Sequence, residues 1–466
     1  MGFSGNNGAT SNSIASSSDA AISNPTNGQS LTYDTPTQKW KNQTASGSTG
    51  LAHYSVTAYG AVGDGTTDDR AAIIAAISAA STDSGGIVTF PKGVFFISYY
   101  LPMQSNISLL GSGAGVTTIK LRDGIITSTG TSYFITYASL KNNITIDGIK
   151  FDAGTGHPTS DSPAVFGIAF NSCSNITIRN CAFTNGRRVV FFSNNNATTN
   201  KNILIENNYF DETIENIAID VANSPSSAVP SSENVTIRNN TFDNIKLQNS
   251  LGPWTTVWFI GVGLLFEGNF VKASWDTALM VTGTNTRNVR VANNNITTRQ
   301  VSIYFGQGPR YCTATGNDLR SLRDFAFHID SDKTNNRDVY FTVANNTIHE
   351  TGKSAIVSEG TNYVVIANNT IHNPAAIKTD TGANQNPNNN SGIVVTNAPA
   401  VDGGGGGKYV TITGNVIVDD RETHLMHYGI YVESAEGLTS IGNNVVNGFE
   451  VAAIRDAGTQ YAQVIT

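Results

Sequence analysis

The sequence predicts an all-β fold, a single-stranded right-handed parallel β-helix of about 11–13 stacked coils with a short N-terminal capping helix. A six-residue frame recurs along most of the chain: an apolar residue, any residue, Asn or Gly, two further residues, then Phe, Ile, Val or Leu. Ile205, Asn207 and Phe210 fill it. Further copies run at Ile146–Phe151, Ile178–Phe183, Ile237–Phe242, Phe266–Val271, Val291–Ile296, Val343–Ile348, Ile366–Ile371, Ile412–Ile417 and Ile441–Val446, with a degenerate one at Ala314–Leu319. After each comes a small residue followed by alternating apolar positions, as in Ala218-Ile219-Asp220-Val221 and Ala326-Phe327-His328-Ile329. Copies every 23 to 32 residues, with one gap of 46, describe a solenoid rather than a sandwich.

Each coil should lie about 4.8 Å above the last. Inward Ile, Val and Phe then stack into one apolar column, and the recurring Asn can form an amide ladder that satisfies buried turn groups. Composition agrees, since only 14% of residues are charged and 45 are Gly, which suits tight turns and disfavours long amphipathic helices. A net charge of −7 without any Lys/Arg cluster argues against a nucleic-acid partner. Cys173, Cys181 and Cys312 lack metal-ligand spacing and read as buried free thiols. No apolar run is long enough to insert in a membrane, and no signal peptide is visible.

Residues 1–48 form the first segment, opening on some twenty Ser, Asn, Gly and Ala residues that cannot order themselves alone. The run Ile22-Ser23-Asn24-Pro25-Thr26-Asn27-Gly28-Gln29-Ser30-Leu31-Thr32-Tyr33-Asp34, closing with Lys39-Trp40, resembles the small connecting module of many phage tail fibre and tailspike proteins. Residues 49–105 should hold the cap and first strands: Thr67, Asp68 and Asp69 can cap an Ala/Ile helix that Gly85-Gly86 ends. The text from Tyr59 to Ser98 is similar to the N-terminal signature of the pectate-lyase-like β-helix superfamily, with its Gly-Asp-Gly, Thr-Asp-Asp, helix, Pro-x-Gly order. Residues 106–466 carry the coils, interrupted by polar loops at 379–390 and 402–407.

The resemblance implies carbohydrate chemistry, by hydrolases, lyases, epimerases or phage depolymerases, without choosing among them. Aligning the small residues of successive coils gives an outer column Phe191, Asp220, Trp258, Met280, Tyr304, His328, Val357, Val394, Tyr431. A second column, two places before the small residue, reads Arg187, Asn216, Trp254, Asp276, Gln300, Asp324, Lys353, Asn390, His427. A plain solvent face would be Thr, Ser, Asn and Lys, so the aromatic and acidic middle coils are the groove candidate.

Asp276 and Asp324 share a column two coils apart, a backbone separation of roughly 9–10 Å from the coil spacing. That suits an inverting pair with room for a water. Asp220 is a further catalytic candidate, with Glu215, Asp330 and Glu359 in reserve. His328 could act as a base or hold a hydroxyl; Trp254, Trp258 and Tyr304 could stack on sugars; Arg187, Arg188 and Lys353 could bind a uronate. His349 and His372 offer only two ligands, too few for a metal site, and no cofactor is implied.

The function expected is a tailspike-type depolymerase hydrolysing a bacterial surface or capsular polysaccharide. A polysaccharide lyase is the second choice, and a non-catalytic tail adhesin or a structural shaft are the other classes. The resemblance also implies a virion-tail or extracellular location, a place in a phage tail or baseplate, and the homotrimer such tailspikes commonly form.

Overall fold

The computed structural model describes residues 18–24, 29–44, 51–123, 133–155, 165–186, 188–194, 198–214, 217–222, 231–245, 255–330, 339–377, 390–396, 409–433 and 439–456. Two units divide the chain, Met1–Ala52 and His53–Thr466. In the first, the strands Gln29–Asp34 and Lys39–Thr44 pair antiparallel across a turn, and Ala20–Ala21 adds a third strand. Tyr33 and Trp40 are cross-strand partners with ring centroids 5.4 Å apart. Of the opening twenty or so residues, expected to lack order, 1–17 lie outside the described residues, whereas Ala20 already belongs to this sheet.

The second unit is the expected parallel β-helix. Three parallel sheets run its length: the first of 14 strands from His53–Ser55 to Thr439–Gly442, the second of 14 from Asp64–Asp68 to Val445–Asn447, and the third of 13 from Leu101–Pro102 to Ala452–Asp456. Every frame falls into register. Ile146, Ile178, Ile205, Ile237, Phe266, Val291, Ala314, Val343, Ile366, Ile412 and Ile441 form one buried column of the first sheet. The frame's last residues do the same in the second sheet, where Phe151, Phe183, Phe210 and Phe242 stack with centroids 5.6, 4.9 and 4.8 Å apart. Coil spacing and ring-stacking distance coincide, so Phe183 and Phe210 bury both faces against their own kind, while Phe151 and Phe242 end the stack against Ile119 and Val271.

The Asn of the frame has a different task from the one expected. Asn207, Asn239, Asn293, Asn345 and Asn368 have φ between 54° and 57°, the left-handed conformation that Asn and Gly reach most easily. This is why Gly148, Gly268, Gly316 and Gly414 alternate with Asn there. The buried ladder belongs to the following residue: in Asn208, Asn240, Asn269, Asn294, Asn317, Asn346, Asn369 and Asn415 the side-chain oxygen or amide reaches the next coil at 2.9–3.1 Å. Each Nδ2 of these also donates to a frame carbonyl one coil below, as Asn269 does to Ile237 at 2.9 Å.

A second correction concerns the small residue at or just before the start of the third-sheet strands, which the sequence alignment puts on the same face as the outer column. Ala218, Ala278, Ala326 and Ala355 sit in the core rather than on the outer face. Consecutive residues are buried there, as at Ile217, Ala218 and Ile219, and a Cβ on Gly392 would stand 2.6 Å from Ile417 Cγ2. Alternation restarts beyond them: Ile219 and Val221 point inward and Asp220 lies between them.

The helix Arg70–Thr82 packs Ile73, Ala76, Ile77 and Ala80 into the core at the solenoid's start. Asp68 accepts the Arg70 N–H at 3.1 Å, but Asp69 turns back to accept the N–H groups of Val62 and Gly63 at 2.6 and 3.0 Å. Cys173, Cys181 and Cys312 are buried free thiols. Among the described residues no helix is long and apolar enough to cross a membrane. The loops expected at 379–390 and 402–407 fall, except for Asn390, outside the described residues.

Candidate active site on the third sheet

The strands of the third sheet pair Phe191 with Asp220, then Trp258, Met280, Tyr304, His328, Val357, Val394 and Tyr431, one above the next. This is the column read from the small residues. Beside it runs a second outer row, in which Thr282 pairs with Gly306 and Asp330 with Glu359.

Four side chains of these two rows meet. The Tyr304 phenol donates to Asp330 Oδ2 at 3.3 Å, and His328 Nε2 stands 3.2 Å from Glu359 Oε2. The Tyr304 and His328 rings lie 5.1 Å apart at 48°. Gly306 makes the first contact feasible: any Cβ there would be 2.4 Å from the Tyr304 ring, which lies over the glycine on its way to Asp330. Burial first, then the Asp330 charge and hydrogen bond, push the Tyr304 phenol pKa up, so it holds its proton.

A cationic edge adjoins the four. Phe325 packs edge-on to His328 at 5.2 Å, and Lys353 Nζ lies 4.9 Å above the Phe325 ring. Lys353 also pairs with Asp324 Oδ1 at 3.1 Å, whose other bond at that oxygen comes from the Phe325 N–H. Above, Val357 and Val394 form an apolar patch with Val301 and Phe325, flanked by Tyr304 and Tyr431. Tyr304, His328, Asp330 and Glu359 therefore form one neighbourhood, bordered through Phe325 by the Lys353–Asp324 pair.

Other candidates stand apart. Asp276 sits before the strand Thr277–Thr282, two strands below the one that Asp324 precedes, and its Oδ1 accepts from Thr277 at 3.4 Å. Gln300 occupies the turn between them. Asp220 lies three strands below Tyr304, is buried, and is held by Arg188 at 3.2 Å and the Ala222 N–H at 3.1 Å. Its pKa is pushed up to about 6 by burial, against the Arg188 charge. Trp258 donates from its indole to Thr282 at 2.9 Å. Arg187, Glu215 and Trp254 fall outside the described residues. His349 and His372 are register partners, each facing a carboxylate, Asp318 at 3.3 Å and Asp420 at 2.9 Å. Among the described residues no group of three or more His, Cys, Asp or Glu is arranged to hold a metal ion.

Sequence reasoning missed Phe325 and Gly306. Phe325 precedes the small Ala326 and reads as one more core aromatic, and a glycine ending a strand reads as a turn. The only signal was position, since both adjoin the column that carries Tyr304 and His328.

Comparison with known proteins follows the same lines. Residues 53–260 match the sequence model "Rhamnogalacturonase A/epimerase, pectate lyase-like", and residues 277–464 match "Right handed beta helix region". Over 78 residues the chain is 45% identical to mannuronan C5-epimerase AlgE6 and to alginate lyase 7, both of Azotobacter vinelandii, covering 15% of this chain and 9% of either relative. Over 127 residues it is 32% identical to the preneck appendage protein of Bacillus phage PZA, covering 27% of this chain and 14% of that protein. The chain thus spans about a tenth of the length of the first curated relatives it matches. Among solved structures, the A-module of mannuronan C-5 epimerase AlgE4 from Azotobacter vinelandii superposes with a TM-score of 0.54 at 18% identity over 89% of this chain and all of that one. PfbA, a surface adhesin of Streptococcus pneumoniae, superposes at 0.57 and 17% identity over 86% and 93%. Residues 53–260 thus carry a pectate lyase-like domain and residues 277–464 a right-handed β-helix region, which together take in nearly all of the second unit.

Proposed function

We propose that this chain acts on a bacterial polysaccharide at the outer face of the third sheet, by proton transfer at the carbon beside a uronate carboxylate. The observation that carries this reading is the pairing of Tyr304 with Asp330 and of His328 with Glu359 on three consecutive coils. An Nε2–H of His328 directed at Glu359 leaves Nδ1 as the proton acceptor, with the carboxylate fixing tautomer and ring. In an elimination, Nδ1 takes the C5 proton and the C–H electron pair becomes the C4–C5 double bond. The C4–O bond then breaks, and the Tyr304 phenol proton passes to the departing oxygen. Lys353, beside Phe325, offers the positive charge that the developing carboxylate enolate needs. Returning a proton to the opposite face of C5 instead would be epimerisation. Similarity to a mannuronan epimerase and an alginate lyase supports this chemistry over a short stretch.

Acid/base hydrolysis is the second reading. Asp330 and Glu359 are register partners on adjacent strands, a spacing of about 4.8 Å that is close to what retention requires. Asp276 and Asp324, two coils apart, offer the wider inverting spacing, although Asp324 is already paired with Lys353. We take elimination first because it gives a role to Tyr304, His328 and Lys353 together. The setting we infer is a phage virion, as tailspike or tail appendage and as a homotrimer. The likeness to a preneck appendage protein and the N-terminal resemblance to a tail-connecting module support it.

Products distinguish the reactions. On alginate and other uronate-containing bacterial polysaccharides, elimination would release reducing ends together with ultraviolet absorbance from the new double bond. Reducing ends without absorbance would mean hydrolysis, inverted C5 signals without ends epimerisation, and binding without any product an adhesin.

A further inference from the structure

On the first sheet one turn position changes chemistry part-way along the solenoid. Asn143, Asn175, Asn202 and Asn234 occupy it in early coils, each with φ of 55°. They form an outer amide ladder: Asn175 donates to Asn143 at 2.8 Å, Asn202 to Asn175 at 2.9 Å and Asn234 to Asn202 at 3.2 Å. Gly263 and Asn288 follow by register, and then the position becomes Tyr311, Tyr340, Tyr363 and Tyr409. These tyrosines keep the left-handed backbone, with φ of 57°, 50°, 59° and 57°.

A bulky residue in that conformation is an outlier, whereas Asn is at ease there. Four consecutive coils therefore carry tyrosine where the same fold upstream uses asparagine, and local backbone preference does not explain the exchange. The rings stack with centroids 5.1, 4.6 and 4.8 Å apart and planes within 13° of parallel. Tyr311, Tyr340 and Tyr409 remain 52%, 40% and 50% exposed. Stacked in this way they line the surface at a repeat of about 4.8 Å, close to the rise of one sugar in an extended glycan. Alongside runs the row Thr313, Thr342 and Val365, and tyrosines and row together line an open groove of about 440 Å³. None of its lining residues is charged.

We propose that this tyrosine ladder and the Thr313–Thr342–Val365 row form a second carbohydrate-binding ledge, on a different sheet from the Tyr304–His328 cluster, which grips an uncharged linear glycan laid along the solenoid axis. Hydroxyls that both donate and accept, repeated once per coil beside apolar ring edges and a valine, suit a chain of neutral sugars. A cation, Arg290, flanks the row as the register partner of Thr313 but lies outside the groove's lining. The ledge shares with the proposed function only the premise that the partner is a carbohydrate.

The test is native gel electrophoresis of the full chain through hydroxyethyl cellulose, a neutral linear glucan without uronate, so that retardation reports the ledge and not uronan turnover. Wild type should be retarded. Tyr340→Asn/Tyr363→Asn restores the upstream residue at both positions, should keep the melting curve of a folded chain, and should bind at least tenfold more weakly. Should that variant not fold, Tyr340→Phe/Tyr363→Phe keeps the ring stack, removes only hydroxyls and should weaken retardation several-fold. Wild type migrating unretarded, or either folded variant retarded as strongly as wild type, would overturn the assignment.

Discussion

Tyr304 holds its phenol proton because burial and the Asp330 carboxylate both disfavour the phenolate. Tyr304→Phe should therefore keep the ring contact with His328 and lower kcat by roughly 10²–10⁴ with little change in KM, as loss of a general acid does. Steady-state rates on a cleaved uronan read this directly, and an unchanged kcat would remove Tyr304 from the proton path. Asp220 makes a separate prediction. Its pKa rises from 3.8 to about 6 on folding, so the folded chain binds that proton more tightly than the unfolded one. Its contribution to stability is greatest below the lower value, falls as pH climbs between the two, and is level above, a loss on the order of 3 kcal/mol. The melting-temperature difference, wild type minus Asp220→Asn, should fall between about pH 4 and about pH 7; a flat difference would contradict the shift. At this scale the outer column was legible, since a two-residue period fixes which of Tyr304, His328, Asp330 and Glu359 share a face. The partners were not. That Lys353 reaches Asp324, and that Gly306 gives the Tyr304 ring its place, depend on rotamers and on turns that periodicity does not encode.

Within one coil, two neighbouring asparagines do different work. Asn207 supplies a left-handed turn and is exposed, whereas the equivalent of its neighbour, Asn269, is buried and bonds to both adjoining coils. Asn207→Gly should change stability by less than about 0.5 kcal/mol. Asn269→Ala strips partners from the Asn240 N–H and the Ile237 carbonyl and should cost roughly 2–4 kcal/mol. Thermal melts of the pair check both, and equal losses would refute the division. Ile205→Asp, which puts a carboxylate in the inner column, should unfold several coils, and an unaltered melt would refute the register. The frame Asn-or-Gly was readable because it marks positive φ. Its companion was harder to read, because the two asparagines are adjacent in the text and only the fold turns one inward. The small residue at the start of the third-sheet strands misled for a related reason: strict alternation breaks where consecutive residues are buried, as at Ile217, Ala218 and Ile219, and there size decides the residue.

Across the whole molecule, a solenoid lets residues far apart in sequence share a row at the coil spacing, and stability adds up between neighbouring coils. Asp324 and Lys353, or Tyr311 and Tyr409, become neighbours or members of one row by this means. The repeat text announced the architecture, the cap and the register. The same economy hides the reaction, since the scaffold is indifferent to what its outer rows carry. The central claim is that reaction occurs at the Tyr304–His328–Asp330–Glu359 neighbourhood. Its most direct test is the rate of product release from a uronan that wild type cleaves, compared for His328→Ala and for the double variant Asp276→Asn/Asp324→Asn. We predict that His328→Ala loses turnover while the double variant retains at least a tenth of it. Full activity in His328→Ala with none in the double variant would contradict the claim and return the chemistry to the carboxylates two coils apart.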